Sequence, residues 1–362
     1  MNRLLGLENR RGFDPTGKNL IFVISQPRAG STLLQRILSG NSQVQTAAEP
    51  WFMLHQLYAL KDSGLQSEYD ATLARDALKD FVKNCGIGED TYYEAVRSFA
   101  GILYGNALLG SGKTIFLDKT PRYYFIIPEL YRTFPNAQFV ILLRNPLAVL
   151  FSIIKNWTNA QGTNLADFRN DLILAPRLLV NGIGLLGGNV IVMHYEHLVS
   201  APEQAISSLC QQLEVPYEIG MLNCGTSESQ MGRMGFADNM NAPLDPSTAF
   251  LHKWQALADS EQFSHFAIEY LDELGENLLR TLGYSYAELR TPFVNKGLWS
   301  KKILPWDIAI KNRSAWTKRE EYINRRGQLL RNKGAIAENL SLLKYKIKLF
   351  SNTFRESFEY IV

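Results

Sequence analysis

One strand–turn–helix junction near the amino terminus constrains this chain more than any other feature. The apolar run Leu20-Ile21-Phe22-Val23-Ile24 has the composition of a fully buried strand. It passes through Gln26-Pro27-Arg28-Ala29-Gly30 into Ser31-Thr32-Leu33-Leu34-Gln35-Arg36-Ile37-Leu38, where apolar residues recur at helical spacing. The first turn of a helix carries unpaired N–H groups and the positive end of the helix dipole. Gly30 admits a close backbone approach, Ser31 and Thr32 add hydroxyl donors, and Arg28 adds a permanent cation. Such a junction is a cradle for a phosphate or a sulfate.

What the loop lacks narrows its chemistry. A nucleoside-triphosphate loop of the Walker type needs G-x-x-x-x-G-K-[ST], with lysine on the terminal phosphates and Ser/Thr on magnesium. Gly30 is followed by Ser31, and the place five residues before it is Ser25. The stretch Gly110-Ser111-Gly112-Lys113-Thr114 imitates the motif but leads into the strand-like Thr114-Ile115-Phe116-Leu117 rather than a helix, so it reads as an ordinary turn.

A second anion site is predicted at Phe139-Val140-Ile141-Leu142-Leu143-Arg144-Asn145-Pro146. The five apolar residues suit a buried parallel strand, and Arg144 falls at its carboxyl end, where open α/β sheets bind ligands. Pro146 opens a helix, and Ser152, eight residues past Arg144, comes about two turns later. An arginine and a hydroxyl can thus meet on one phosphate group.

Two such loops without a Walker lysine resemble the PAPS-dependent sulfotransferases, which use 3′-phosphoadenosine-5′-phosphosulfate as sulfuryl donor. The resemblance covers roughly residues 18 to 285. It implies that Arg28, Ala29, Gly30, Ser31 and Thr32 hold the 5′-phosphosulfate and that Arg144 and Ser152 hold the 3′-phosphate. Supporting matches are Asp118-Lys119-Thr120-Pro121-Arg122, Phe134-Pro135-Asn136-Ala137 and His194-Tyr195-Glu196-His197-Leu198. In the last of these, His194 and His197 stand where the family has arginine and aspartate; they read as structural residues, not as a metal pair. His252-Lys253-Trp254 resembles the segment that closes over the nucleotide, which assigns Lys253 and Trp254 to donor binding.

The branch matters for mechanism. Cytosolic small-molecule members have lysine in place of Arg28 and a histidine base after a Lys-Thr pair, whereas here Lys119-Thr120 runs into Pro121. The spacing resembles instead the tyrosylprotein and bacterial carbohydrate sulfotransferases. Glu49 follows Arg28 by 21 residues, and Lys119 precedes Arg144 by 25. This implies Glu49 as the general base for an acceptor hydroxyl. Arg28 and Lys119 then stabilise the charge that builds on the sulfuryl oxygens and the leaving phosphate, at about 3–4 kcal/mol for each preorganised donor. No metal is expected, because fixed cations take the place of magnesium. The expected acceptor is a hydroxyl on a glycan or glycolipid, with peptide tyrosine as the second choice. The competing class, a P-loop-type kinase of a small metabolite, would need a Gly-Lys pair and a carboxylate at the end of Phe139–Leu143. A catalytically dead nucleotide-binding partner is a third reading.

Charge is unevenly distributed. Thr291 to Val362 carries 15 Lys+Arg against 6 Asp+Glu, whereas the rest of the chain is net acidic despite the overall +3. This basic stretch interleaves Trp299, Trp306 and Trp316 with Lys301, Lys302, Lys311 and Arg313, and then repeats Leu342, Leu343, Tyr345, Ile347, Phe350, Phe354 and Phe358 at helical spacing. Residues 1–289 are therefore read as the catalytic domain and 290–362 as a basic, mostly helical extension. The extension is expected to serve as a lid or dimer arm of a homodimer, or else to touch an anionic membrane surface; it contains no recognised nucleic-acid module. Three cysteines, Cys85, Cys210 and Cys224, do not make a disulfide framework. The first residues lack a long apolar stretch, and the uncharged run Leu178–Met193 contains two Asn and four Gly that are expected to break a spanning helix. A cytoplasmic protein, peripheral on the membrane at most, is the expectation.

Periodicity predicts strands over 19–24, 114–118, 138–143 and 189–194. Helices are predicted over 31–39, 72–84, 91–107, 124–134, 146–156, 202–213 and 261–282. Strands alternating with helices give an α/β fold, a P-loop-like doubly wound parallel sheet flanked by helices. Pro50 to Tyr104 is expected to wall the acceptor pocket with Asn156 to Arg177 opposite, and Gly225 to Pro246 to form a mobile loop over the donor.

Overall fold

The structure is a computed structural model that describes residues 13–61, 69, 71–158, 165–223 and 246–293. Its core is a five-stranded sheet of β1 (Leu20–Ser25), β2 (Val44–Thr46), β3 (Ile115–Lys119), β4 (Gln138–Leu143) and β5 (Val190–His194). The order is β2-β3-β1-β4-β5 and every pair is parallel. All carboxyl ends therefore lie on one edge, and the order reverses at β1, between β3 and β4. An open parallel sheet binds its ligand at that reversal. The four predicted strands stand within a residue of their expected places. β2 was not predicted: three residues, Val-Gln-Thr, carry too little pattern to register.

Side chains alternate across β1 and divide the interior into two cores of different chemistry. Ile21 and Val23 face an aliphatic layer with Leu34, Leu38, Val140, Leu142, Leu198, Ile206 and Leu209. Phe22 faces an aromatic one, with its ring 5.4 Å from Phe139, 5.8 Å from Phe134 and 6.2 Å from Tyr123. A central strand buried on both faces reads as a near-continuous apolar run: all six residues of β1 are buried, Leu20 to Ile24 apolar and Ser25 donating its hydroxyl to the Gln26 carbonyl.

The helices are α1 (Ser31–Ser39), α2 (Phe52–Tyr58), α3 (Ala71–Asn84), α4 (Glu89–Ser111), α5 (Ile127–Thr133), α6 (Pro146–Trp157), α7 (Ala175–Leu186), α8 (Tyr195–Ser200), α9 (Pro202–Gln212), α10 (Glu261–Leu274), α11 (Glu276–Thr281) and α12 (Tyr286–Arg290). Two of the predicted helices are corrected. The single helix over 261–282 is two, divided at Gly275, and the front of the helix over 124–134 is a 3-10 turn, Pro121–Ile126. The uncharged run after Leu178 does not break at its first glycines: α7 continues through Asn181, Gly182 and Gly184 to Leu186. Gly182 serves the packing there, since a Cβ would stand 2.5 Å from Ile127 Cδ1 of α5. The helical run Asn170–Asn189 is long and apolar enough to cross a membrane by length and composition; here α7 packs on α5, α11 and β5. The Walker imitation ends α4 and turns through Gly112 into β3, as its context predicts.

The chain divides into two compact units, one of Met1–Leu57 with Glu89–Pro305 and one of Tyr58–Gly88 with Trp306–Val362. The first contains the whole sheet. In the second, α3 carries an Arg75–Asp76 ion pair at 2.6 Å. Of the segment expected to wall an acceptor, α4 belongs to the first unit and α3 to the second. Most of the loop 225–246, the stretch 159–164 and the basic extension from residue 294 onward lie outside the described residues.

Candidate active site

The loop after β1 has the shape its sequence requires. Arg28 and Gly30 both take left-handed backbone angles, with φ 69° and 100°, and α1 begins at Ser31 as the N–H groups of Leu33 and Leu34 bond the Gly30 carbonyl. Gly30 is fixed by sterics as well as by its angle. A Cβ would stand 2.4 Å from Cδ2 of Tyr195, so any side chain there displaces an aromatic ring. The Arg28 side chain turns toward α6, where its Nε donates to Ser152 Oγ at 3.1 Å and its guanidinium lies 5.5 Å from the centre of the Trp157 ring.

Arg144 closes the cradle from the end of β4. Its Nη1 donates to the Arg28 carbonyl at 2.9 Å, and its guanidinium lies 4.0 Å over the Tyr195 ring. Burial pulls its proton affinity down, while Tyr195 and Glu196 pull it up. Asn145, next in sequence, caps α6 by accepting from the Leu147 and Ala148 N–H groups. The structure thus brings Arg28, Gly30, Arg144 and Ser152 into one contiguous cluster. Tyr195, quoted only within a longer segment of the sequence, is the surface against which that cluster is built.

On the other side of the loop, at the end of β3, Lys119 is 1% exposed and its Nζ lies 2.6 Å from Glu49 Oε1 and 3.4 Å from Thr32 Oγ1. Burial lowers the lysine's proton affinity, and the Glu49 carboxylate and then Asp118 oppose that shift. Trp51 donates through Nε1 to the second oxygen of Glu49 at 2.9 Å. Glu49 is held within reach of Lys119 by the strand the sequence hid: Gln35 of α1 donates its amide to Thr46 Oγ1 and to the Ala47 carbonyl, and Thr46 donates to the Leu117 carbonyl.

Beneath Lys119 lies Asp118, fully buried, with Tyr104, Tyr123 and Thr120 hydroxyls donating to its carboxylate at 2.7–3.1 Å. Burial pushes its pKa up to about 6 against the pull of those donors. Lys253 and Trp254 stand apart from this cluster in the contacts they make. Trp254 is buried in a 3-10 turn packed on α6 and α10, and the Lys253 amine lies 4.0 Å over the Phe250 ring. His194, with its Nδ1 3.3 Å from the Tyr284 hydroxyl, is packed against the 283–284 turn.

Whether this cluster fits a doubly phosphorylated nucleotide can be tested on one atom. Arg144 Nε is buried and lacks a hydrogen-bond partner. A guanidinium N–H is rarely left unsatisfied in a protein interior, and an anion oxygen supplies the missing acceptor. The left-handed Gly30 at the start of α1, which keeps side-chain bulk out of the loop, supplies the second point of fit.

The chain is similar to several known proteins. A family described as the sulfotransferase family matches residues 20–218, more than half of the chain. The nodulation protein NoeE of Sinorhizobium fredii is 32% identical over 138 residues, covering 38% of this chain and 32% of its own length. A putative protein-tyrosine sulfotransferase of Caenorhabditis briggsae is 26% identical over 209 residues, covering 57% of this chain and 69% of its own. The chain therefore spans from about a third to about two thirds of these two relatives. Among solved structures, the sulfotransferase domain from the curacin biosynthetic pathway is 23% identical with a TM-score of 0.45, covering 65% of this chain and 89% of that one.

Proposed function

The chain belongs to the sulfotransferase family, and we propose that it moves a sulfuryl group from PAPS to an acceptor hydroxyl on a glycan or glycolipid. The observation that carries the proposal is the single cationic lip formed where Arg144 bonds the Arg28 carbonyl and Arg28 bonds Ser152. The cradle between Arg28 and Thr32 takes the 5′-phosphosulfate, and Arg144 with Ser152 takes the 3′-phosphate. Lys253 and Trp254, which make no hydrogen bond or ion pair with this lip among the described residues, are left to approach the nucleotide from the carboxyl-terminal side.

PAPS supplies a sulfuryl group on a good leaving group, the 5′-phosphate of adenosine 3′,5′-bisphosphate. Glu49 accepts the proton of the acceptor hydroxyl as the oxygen–sulfur bond forms and the bond from sulfur to the bridging phosphate oxygen breaks. Lys119, 2.6 Å from Glu49, has two tasks. It bonds one carboxylate oxygen and so orients Glu49, and it offers its ammonium to the charge developing on the sulfuryl oxygens. Arg28 and the N–H groups at the start of α1 meet the negative charge on the leaving phosphate.

Thermal unfolding with adenosine 3′,5′-bisphosphate, and separately with ATP and magnesium, tests the donor. At a hundredfold excess over Kd the correct ligand adds about 2.7 kcal/mol of stability. A shift with ATP and magnesium but none with the bisphosphate would replace this reading with a kinase. Turnover by Glu49→Gln at the wild-type rate would remove Glu49 as base. Peptide tyrosine is the second acceptor, favoured by the match to the Caenorhabditis briggsae protein over 57% of this chain. Radiolabelled PAPS offered with 4-nitrophenyl pyranosides or with a tyrosine peptide separates the two.

A further inference from the structure

We propose that Trp51 is a positioning residue for Glu49, held by an Arg122–Asp171 clamp that is anchored to the donor loop through Gln26. The inference deepens the sulfuryl-transfer reading and rests on it. Its first support is the way the Glu49 carboxylate is gripped. Lys119 takes Oε1 at 2.6 Å and the Trp51 indole N–H takes Oε2 at 2.9 Å. A carboxylate bound at both oxygens keeps one orientation, so its free lone pairs face a single direction.

The second support is backbone strain. Trp51 has φ 57°, a left-handed angle that is an outlier for a bulky aromatic. Such a conformation persists only where the surroundings over-determine it. The surroundings here are the Arg122 guanidinium, 5.4 Å from the centre of the indole ring, and the carboxylate that the indole itself bonds.

The third support is what fixes Arg122. Its Nε and Nη2 donate to the two oxygens of Asp171 at 3.0 and 2.6 Å, a bidentate pair. Asp171 is 3% exposed and also accepts from the Tyr124 hydroxyl. It lies in a π-turn, Asn170–Leu174, ahead of α7; such turns recur at functional sites. Its carbonyl accepts from the Gln26 side chain at 2.9 Å. Contacts thus run without a gap from the base, through Trp51, Arg122 and Asp171, to the residue two places before Arg28. The clamp sets the position of the base relative to the loop that binds the donor. An indole serving only as core filler would have no need of an ionised partner, nor of a half-buried arginine whose fork is already filled.

The experiment uses the full chain with Trp51→Phe, Arg122→Lys and Glu49→Gln, alone and with Trp51→Phe combined with Glu49→Gln. Turnover is followed as release of adenosine 3′,5′-bisphosphate from PAPS, with 4-nitrophenyl pyranosides, a tyrosine peptide, or water alone as acceptor. Trp51→Phe removes the N–H and keeps an aromatic ring; Arg122→Lys keeps the charge and loses the planar fork. Both are expected to lower kcat by about 10- to 100-fold, the scale of a misplaced reacting group. KM for PAPS and the bisphosphate-induced thermal shift are expected to stay within about twofold, the split that separates positioning from donor binding. In the Glu49→Gln background, Trp51→Phe should change residual turnover by less than about twofold, because a residue acting through Glu49 has nothing left to position. Wild-type kcat in Trp51→Phe, or losses that multiply with that of Glu49→Gln, overturns the proposal. Should Trp51→Phe fail to fold, Arg122→Lys decides by the same split. An active Glu49→Gln removes the base reading itself, whereas an inactive Glu49→Gln beside a fully active Trp51→Phe sinks only the clamp.

Discussion

The guanidinium of Arg144 donates through Nη1 to the main-chain carbonyl of Arg28 at 2.9 Å, so the cation ending β4 is fastened to the loop ending β1. Two like charges are brought together through a neutral carbonyl, and Arg144 retains a buried Nε without a partner. Such an arrangement is costly until an anion arrives. It explains why the two loops proposed to hold phosphate, separated by over a hundred residues, meet in space as one lip.

Arg144→Ala is therefore expected to weaken binding of adenosine 3′,5′-bisphosphate by roughly 10- to 100-fold, the worth of one to two charged hydrogen bonds. Arg144→Lys should fall between, because an ammonium keeps the charge but loses the fork. Isothermal titration at fixed ionic strength measures both. An unchanged Kd in Arg144→Ala removes the residue from donor binding.

Gly30→Ala isolates the steric part of the cradle. The new Cβ would meet Tyr195 Cδ2 at 2.4 Å, at a backbone φ of 100° that an L side chain strains to adopt. The same ring supports Arg144 from 4.0 Å, so displacing it disturbs both proposed phosphate sites at once. The expected result is loss of bisphosphate binding and a stability cost of about 2 kcal/mol or more. Normal affinity and a normal unfolding midpoint would show that the ring is free to give way.

How much of this is legible in the sequence depends on the physical origin of each feature. β1 and β4 announce themselves because a strand buried on both faces must be a continuous apolar run. β2 does not, since Val44-Gln45-Thr46 is a strand only through its ladder to β3 and the Gln35 amide beneath it. In the site, Arg28, Glu49, Lys119, Arg144 and Ser152 can be picked out by motif and offset, and all five stand at the carboxyl edge of the sheet or on the helix that follows it. Tyr195, Trp51 and Asp171 cannot be chosen that way. Tyr195 matters through the space beside Gly30, Trp51 through a backbone angle, and Asp171 through a π-turn that shifts its helix out of the usual register. Arg122 closes the quoted segment Asp118-Lys119-Thr120-Pro121-Arg122 and Trp51 follows Glu49-Pro50, but neither position tells what the side chain grips.

Breaking the Lys119–Glu49 pair should be more damaging than removing it. Lys119→Met leaves a carboxylate that is 11% exposed without its cation, and a buried pair broken on one side typically costs about 3–5 kcal/mol. Adding Glu49→Gln removes the stranded charge and should recover more than half of that loss, a strongly non-additive cycle. Urea unfolding at pH 7 reads both. Additive losses would show that water already screens the pair.

Asp118 gives the pH test. Its carboxyl is fully buried and pushed up from the ordinary 3.8 to about 6, chiefly by desolvation, so the folded state holds this proton more tightly than the unfolded chain. Below about pH 4 the group is protonated in both states and contributes no penalty. As pH rises, the unfolded chain ionises first, and stability falls until the folded group also ionises near pH 6. The loss is roughly 3 kcal/mol, about two pKa units at 1.36 kcal/mol each. Asp118→Asn keeps the shape and one acceptor for the Tyr104, Tyr123 and Thr120 hydroxyls but has no proton to lose. Its unfolding free energy, measured against that of the wild type, should therefore rise between pH 4 and pH 6.5 and level off above. Lys119 and Glu49, the ionisable neighbours of Asp118, are present in both proteins, so their own titration largely cancels in the difference. Parallel stability curves across that interval would mean that Asp118 ionises in the fold as it does in the open chain, and that the three hydroxyls compensate fully for its burial.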